Sequence, residues 1–199
     1  MPQNLTDLLR EVDAFFMAES KVHKTFERLA HRLSELDIDF ALAGGLAVGV
    51  RGHLRVTVDV DILTTKEGLS RFKERWLGRG YVEKFSGSKG VKDAETGVAI
   101  DFLLAGDYPG DGKPKPVQFP DPASIRHAEQ GPPVLDLRTL VELKLASGLS
   151  APDRLQDFAD VIALIRANGL GEDYGSELSE YVQDKYAELW RAAQTRSEP

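Results

Sequence analysis

The chain has 199 residues, 42% of them hydrophobic and 29% charged, with a formal net charge of −7 and no cysteine. This length and composition suit one globular domain with a helical annex, and the lack of cysteine excludes disulfides and thiolate metal sites. No apolar run reaches the roughly 20 residues that a membrane helix needs, so we expect a cytoplasmic protein with no membrane partner. The negative net charge argues against an extended basic surface that would bind nucleic acid, although a local basic patch is still compatible with it.

Two amphipathic helices are predicted at the start of the chain. One covers about residues 6–17, and the next carries an apolar stripe that runs from Val22 to Leu36 at helical spacing. We interpret both apolar stripes as helix faces that pack on the hydrophobic core, with an interface to a partner protein as the alternative. A short apolar run at residues 38–43 then ends in Gly44 and Gly45, before a helical pattern resumes. The sequence therefore predicts a strand, a glycine turn and a helix.

Residues 55–63 alternate between polar and apolar side chains, as in a strand with one buried face. The predicted core face carries Val56, Val58, Val60 and Ile62, and the opposite face carries Arg55, Thr57, Asp59 and Asp61. The two carboxylates would lie within about 7 Å of each other along the strand. Like charges at that distance favour a cation, and Mg2+ prefers oxygen ligands. The alternative is a solvated strand face without function.

The glycine pair is the second motif that indicates chemistry. Glycine adopts positive φ and lets backbone N–H groups approach a ligand, so Gly44 and Gly45 could cradle phosphates. The alternative is a tight turn that needs glycine only for steric reasons. Thirteen residues separate Gly45 from Asp59, and the aspartate pair follows on the next predicted strand.

A helix, a hairpin and a strand are predicted between residues 66 and 104. The helix covers about residues 66–77, a strand starts near residue 80, and residues 85–91 form a hairpin or loop. Lys84, Lys89 and Lys92 cluster there, either as a solvated loop or as contacts to an acidic substrate. The next strand, residues 98–104, carries Asp101 among apolar residues. A buried carboxylate is costly unless it is paired, hydrogen-bonded or bound to metal.

The last third of the chain is predicted as a long loop followed by helices. Residues 105–133 are rich in glycine, proline and aspartate, with a short strand at 117–119 that pairs with 134–137. A helix starts at residue 137, Pro152 opens the next one, and a final helix covers about residues 178–190. Lys144 is followed by Arg154, Asp157 and Asp160 in the pattern Lys, gap, Arg-x-x-Asp-x-x-Asp. Acidic residues in a first helical turn also complement the helix dipole, which is the alternative interpretation.

Taken together, these motifs resemble the nucleotidyltransferase superfamily related to DNA polymerase beta. Its pattern is an apolar residue, Gly, then Gly or Ser, a gap, and Asp-x-Asp in a strand, as in Gly44, Gly45, Asp59 and Asp61. The entry Arg-x-Thr-x-Asp-x-Asp and the second signature from Lys144 resemble the small bacterial branch of AbiEii-type toxins and their MenT-like relatives. This chain has Gln156 where that branch often has lysine.

The resemblance implies a fold, a site and an activity. The fold is α/β, with a small mixed sheet, helices on one side and a C-terminal helical cap; residues 1–136 form the core, 137–193 the helical region and 194–199 a tail. Two Mg2+ ions, with Mn2+ as the alternative, would bind to Asp59, Asp61 and Asp101, and Asp101 would act as general base. The implied nucleotide contacts are Gly44, Gly45, Arg55, Thr57 and Lys144, supported by Arg154, Asp157 and Asp160.

The implied reaction transfers NMP from an NTP to a hydroxyl and releases pyrophosphate. A tRNA acceptor would make the chain a toxin-like enzyme of a toxin–antitoxin or abortive-infection system, with a cognate antitoxin as partner. A protein hydroxyl would make it an AMP-transferring regulator, and an aminoglycoside-type small molecule a resistance enzyme. A non-catalytic nucleotide-binding module is the alternative from a different class.

Overall fold

The computed structural model describes residues 21–125 and 132–195. The predicted helix at residues 6–17 and most of the predicted tail lie outside this part of the chain. The described helices are α1 (Lys21–Ser34), α2 (Gly44–Val50), α3 (Lys66–Trp76), α4 (Leu137–Gly148), α5 (Leu155–Asn168) and α6 (Glu180–Gln194). The described strands are β1 (Phe40–Leu42), β2 (Asp59–Thr64), β3 (Tyr81–Glu83), β4 (Val91–Asp93) and β5 (Ala99–Leu104).

The five strands form one mixed sheet in the order β1-β2-β5-β4-β3. β2 and β5 lie side by side and run parallel, whereas β1 pairs with β2, β4 with β5, and β3 with β4 in antiparallel fashion. A parallel pair needs a crossover connection, and here it consists of α3 and the β3–β4 hairpin. The predicted α/β class with a small mixed sheet is confirmed.

The two faces of the central strands have different environments. Along β5, Ile100, Phe102 and Leu104 are buried, whereas Asp101 and Leu103 between them are partly exposed. β2 follows the same alternation at its start, since Val60 and Ile62 are fully buried and Asp61 is not. Side chains two apart share a face of a strand. One face of the sheet therefore builds the core and the opposite face carries the aspartates.

The predicted strand at residues 55–63 is only half correct. β2 begins at Asp59, and Val56 and Val58, predicted to be buried, are 52% and 70% exposed. The reason lies in the neighbouring strands: β5 starts opposite Asp59, and β1 ends opposite Ile62. In the described part of the chain no strand pairs with residues 55–58, so an alternating sequence pattern alone does not make them a strand.

Two other predicted details are wrong. Residues 117–119 form no strand with 134–137; instead the Leu135 N–H donates to the Leu42 carbonyl at 3.0 Å, and Phe119 pairs with the turn after β5. Pro152 does not open α5, because it lies in a turn closed by a bond from the Arg154 N–H to the Ala151 carbonyl. The predicted helices that correspond to α1, α3, α4 and α6, and the β3–β4 hairpin, are confirmed.

The C-terminal helices are held by local caps and a shared core. Asp136 caps α4 by accepting a hydrogen bond from the Thr139 N–H at 2.9 Å. Gly169 ends α5 in the left-handed conformation, with φ of 60°. The Tyr186 hydroxyl of α6 donates to the Gly171 carbonyl at 2.8 Å, and its ring is fully buried. Among the described residues no helix is both long and apolar enough to cross a membrane.

Phe72 tests the core on the side of the sheet opposite the aspartates. It is fully buried and contacts the rings of Tyr81 and Phe102 at centroid distances of 5.0 and 5.4 Å. We predict that Phe72→Ala lowers the free energy of unfolding by about 3–5 kcal/mol, because it leaves a cavity. Phe85→Ala is the matched control, since Phe85 is 69% exposed. Urea denaturation measures both, and equal losses would contradict this description of the core.

Candidate active site

Adjacent strands bring three aspartates together on the face of the sheet opposite Phe72 and Phe102, where they are partly buried. Asp61 of β2 and Asp101 of β5 are register partners, and Asp59 precedes Asp61 by two residues on the same face. All three line a cleft of about 690 Å³ between the sheet and the C-terminal helices. The Thr57 hydroxyl donates to Asp59 Oδ1 at 3.0 Å and helps to orient it.

The glycine pair lies directly against this aspartate strand. Gly44 has φ of 58° and lines the cleft, and a Cβ built on it would overlap the Asp61 carboxylate. Gly45 is buried, and its Cβ would lie 2.8 Å from Thr57 Oγ1 and 3.1 Å from Arg55 Nη2. The glycines thus allow α2 to begin in contact with both the aspartate strand and the segment before it.

The three carboxylates create an excess of negative charge. Burial raises the pKa of Asp61 to about 7, with further contributions from Asp59 and Asp101. Lys144 and Lys84 act in the opposite direction and only partly offset the shift. A carboxylate that is hard to ionise among other carboxylates is typical of a site that takes up a cation.

Lys144 is the centre of a buried ionic cluster beside the aspartates. Its Nζ lies 2.8 Å from a carboxylate oxygen of Asp157 and 2.8 Å from one of Asp160. Arg55 forms a two-point bond to Asp160, at 2.7 and 3.0 Å. Burial alone would raise the pKa of Asp160, but the hydrogen bonds from Arg55 and Lys144 outweigh it and the net shift is downward. The cluster joins α4 and α5 to the segment before β2.

Arg154 fixes the far wall of the cleft. Its guanidinium donates to the Ser147 hydroxyl at 3.0 Å and to the Gly110 carbonyl at 3.3 Å, and it lies 3.7 Å from Asp157. Gly110 packs against Ser150, where no side chain would fit. The loop after β5 is therefore attached to the turn between α4 and α5, and its residues Asp107, Tyr108 and Phe119 line the cleft.

The residues predicted from sequence separate into two groups. Those that line the cleft are Gly44, Asp59, Asp61, Asp101, Lys144, Arg154 and Asp157. Gly45, Arg55, Thr57 and Asp160 are not part of this lining: Thr57 donates to Asp59, Asp160 pairs with Lys144, and Arg55 bonds to Asp160. In particular, the two-point bond to Asp160 occupies the guanidinium that was predicted to contact the nucleotide. Their predicted roles in binding and catalysis stay predictions.

The structure distinguishes Lys84 from the other two lysines that the sequence placed near the hairpin. Lys84 Nζ lies 2.7 Å from both carboxylate oxygens of Asp101. The sequence showed it only as one of three lysines around a hairpin, because no local pattern predicts which of them faces a neighbouring strand. Lys89 forms an ion pair with Asp107 at 2.5 Å and also lines the cleft.

The donor set fits one divalent cation better than two. In residues 21–125 and 132–195 no three histidine, aspartate or glutamate side chains are grouped so that they could hold a metal ion. Mg2+, however, commonly binds through one or two carboxylates together with substrate phosphates. Asp59 and Asp61 offer such a pair, whereas Asp101 is engaged by Lys84. Magnesium and the second ion stay predictions.

Comparison with known proteins gives likenesses to solved structures. No family model and no curated protein matches the chain. The chain is similar to a Thermotoga maritima protein assigned as a nucleotidyltransferase, at 19% identity over 69% of this chain and 91% of the other, with a TM-score of 0.49. It is also similar to ANT(2")-Ia in complex with adenylyl-2"-tobramycin, at 14% identity, 87% and 99% coverage, and a TM-score of 0.49.

A solution structure of the same antibiotic-resistance factor gives 14% identity, 85% and 92% coverage, and a TM-score of 0.47. These values describe a distant similarity of the fold, so the activity has to be argued from the residues of the site. None of the three is named as an AbiEii-type or MenT-like protein, and that branch stays a prediction.

Gly44 tests the contact between α2 and the aspartate strand. We predict that Gly44→Ala destabilises the protein more than Gly78→Ala does. Both residues have positive φ, so both variants carry a backbone penalty of about 1–2 kcal/mol. The new Cβ at Gly44 would also collide with Asp61. At Gly78 no atom lies within 4 Å of the new Cβ. Thermal unfolding compares the two, and equal destabilisation would show that Asp61 is not packed against Gly44.

Asp160 tests the ionic cluster. Asp160→Asn should cost about 3 kcal/mol at pH 7, because Arg55 and Lys144 lose a buried partner. The pKa of Asp160 is lower in the folded protein than the ordinary aspartate pKa of about 4. Its charge therefore stabilises the folded state above about pH 4, and this stabilisation is lost as the pH falls through the lower native pKa. The deficit of the variant should therefore shrink below about pH 4. Asp153→Asn at an exposed site is the control, and a deficit independent of pH would contradict the charge-based explanation.

Proposed function

We propose that this chain is a nucleotidyltransferase that moves NMP from an NTP to a hydroxyl acceptor and releases pyrophosphate. The observation that supports it is the placement of Asp59, Asp61 and Asp101 on adjacent strands in one cleft, next to Gly44. Three carboxylates with one raised pKa are unfavourable as a structural device. They suit a site for cation-assisted phosphoryl chemistry.

Each residue would have a distinct part in the reaction. Asp59 and Asp61 would hold a divalent cation, which when bound offsets the charge on the phosphates and on the leaving pyrophosphate. Asp101, once released by Lys84, would add a further ligand oxygen for that cation and accept the proton of the acceptor hydroxyl. The acceptor oxygen then forms a bond to the α-phosphorus while the bond to pyrophosphate breaks, and pyrophosphate leaves with the electron pair. Lys144, which lines the same cleft, would attract the triphosphate.

Arg55 and Thr57 would act through other residues instead of touching the nucleotide. Thr57 donates to Asp59, and Arg55 holds Asp160, which in turn holds Lys144. We therefore assign these two side chains to positioning. Arg154, Asp157 and Asp160 support the cleft from its helical side.

The charges of the cleft favour a small cationic acceptor over RNA. Its lining carries five aspartates, at 59, 61, 101, 107 and 157, against three cationic side chains, Lys89, Lys144 and Arg154, and a fourth cation, Lys84, is bound to Asp101. A nucleotide with its cation compensates part of this negative charge, and a polyanionic acceptor would add to it. A tRNA acceptor with a cognate antitoxin, as in the AbiEii-like branch, and a protein hydroxyl are the competing acceptors.

Label transfer tests the proposal. The protein is incubated with each α-labelled NTP, Mg2+ and, in parallel, total RNA, total cell protein and a panel of aminoglycosides. We predict label on one acceptor class, and a loss of at least about a hundredfold in Asp61→Asn, because the cation contributes several kcal/mol to the transition state. Asp153→Asn, which replaces an exposed aspartate, is the control and should transfer normally.

The acceptor that carries the label decides among the alternatives. Label on an aminoglycoside supports the charge argument, and label on RNA or on protein overturns it while keeping the transferase. Equal transfer by Asp61→Asn and wild type would refute the assigned site. Tight NTP binding with no transfer to any acceptor would instead establish a non-catalytic binding module.

A further inference from the structure

The ammonium group of Lys84 is bound to the third aspartate of the cleft. It lies 2.7 Å from Oδ1 and 2.7 Å from Oδ2 of Asp101, so it engages both oxygens at once. A cation ligand or a general base needs at least one of those oxygens. As the structure stands, Asp101 is available for neither role.

The pair joins the β3–β4 hairpin, which carries Lys84, to β5, which carries Asp101. Gly90, which is buried, lies at the point where Lys84 and Asp101 meet. A Cβ at Gly90 would lie 2.7 Å from Asp101 Oδ1 and 3.0 Å from Lys84 Cδ, so any side chain there would push the pair aside. Lys73 of α3 anchors the hairpin, because its ammonium bonds to Glu83 at 2.8 Å and to the Ser88 carbonyl.

The energetics argue against a purely structural role for this pair. The side chains of Lys84 and Asp101 are 24% and 40% exposed. Ion pairs with that degree of exposure contribute about 0–1 kcal/mol. The fold therefore gains little from the pair, whereas the positive charge of Lys84 acts directly on Asp101 and also lowers the pKa of Asp61.

We propose that Lys84 is a displaceable counter-cation, which holds Asp101 until an NTP arrives and so makes divalent-metal binding and nucleotide binding cooperative. This inference rests on the proposed function. A divalent ion and the Lys84 ammonium repel each other at the same carboxylate. A bound triphosphate would offer the Lys84 ammonium, which sits on a flexible four-carbon stem, another anionic partner. Lys84 is thus a positioning residue that admits the cation to Asp101 only together with substrate.

Mn2+ binding tests the inference without requiring turnover. Free Mn2+ is measured by electron paramagnetic resonance at fixed pH, with and without a non-hydrolysable NTP analogue, and the Mn2+ that the analogue chelates in protein-free solution is subtracted. In the wild type the analogue should tighten Mn2+ binding about tenfold or more. In Lys84→Met, which keeps the length of the stem and removes the charge, Mn2+ should bind about tenfold more tightly without the analogue. The factor by which the analogue tightens Mn2+ binding should shrink about tenfold in this variant, because Mn2+ no longer competes with an ammonium for Asp101 when the analogue is absent.

Two further variants make the test specific to Lys84. Lys92→Met removes an exposed lysine from the same hairpin and should bind Mn2+ like the wild type. The double variant Lys84→Met, Asp101→Asn should lose the tighter Mn2+ binding that Lys84→Met alone shows. Thermal unfolding confirms that the variants are folded, as expected for a partly exposed pair.

The outcomes separate this inference from the proposed function. An unchanged Mn2+ isotherm in Lys84→Met overturns the inference, even if the protein transfers label. Tighter Mn2+ binding in Lys84→Met with reduced coupling supports it. If that result is found but no variant transfers label to any acceptor, the proposed function fails while Lys84 keeps its role in cation access.

Discussion

The negative charge shared by Asp59, Asp61 and Asp101 is the constraint on which the rest of the structure depends. Parallel pairing of β2 and β5 places Asp61 and Asp101 opposite each other. Carboxylates this close remain ionised only if cations face them. The protein supplies two lysines from different elements, Lys84 from the hairpin and Lys144 from α4. The parts of the chain around the cleft can be understood as the means by which these cations are held in place.

The cluster around Asp160 explains why the C-terminal helices belong to the site. Asp160 is fully buried and receives Arg55 from one side and Lys144 from the other. Arg55 is four residues before Asp59, so the aspartate strand and α5 are joined through a chain of charges. A buried pair of this kind adds little net stability but fixes geometry. The helices would therefore set the position of Lys144 relative to the aspartates.

The sequence predicted the elements of the fold well and their edges poorly. Periodicity located α1, α3, α4, α6 and the hairpin, because helical and strand stripes depend on local residues. The start of β2 and the pairing of residues 134–135 with β1 depend on which neighbour is available, and that information is not local. The same distinction applies to the site: the motifs and the family resemblance predicted seven residues that line the cleft, but they could not show that Arg55 faces Asp160 or that Lys84 reaches Asp101.

The two lysines differ in how firmly they are held, and this difference assigns them different tasks. Lys144 is 11% exposed and bound to two buried or nearly buried aspartates, which raise its pKa against the effect of burial. Removing it from them would leave charges unpaired in a region of low dielectric constant. Lys84 has one carboxylate partner that is 40% exposed, and water can replace it there. Lys144 is therefore a fixed charge of the cleft, and Lys84 is the cation that can exchange partners when a triphosphate enters.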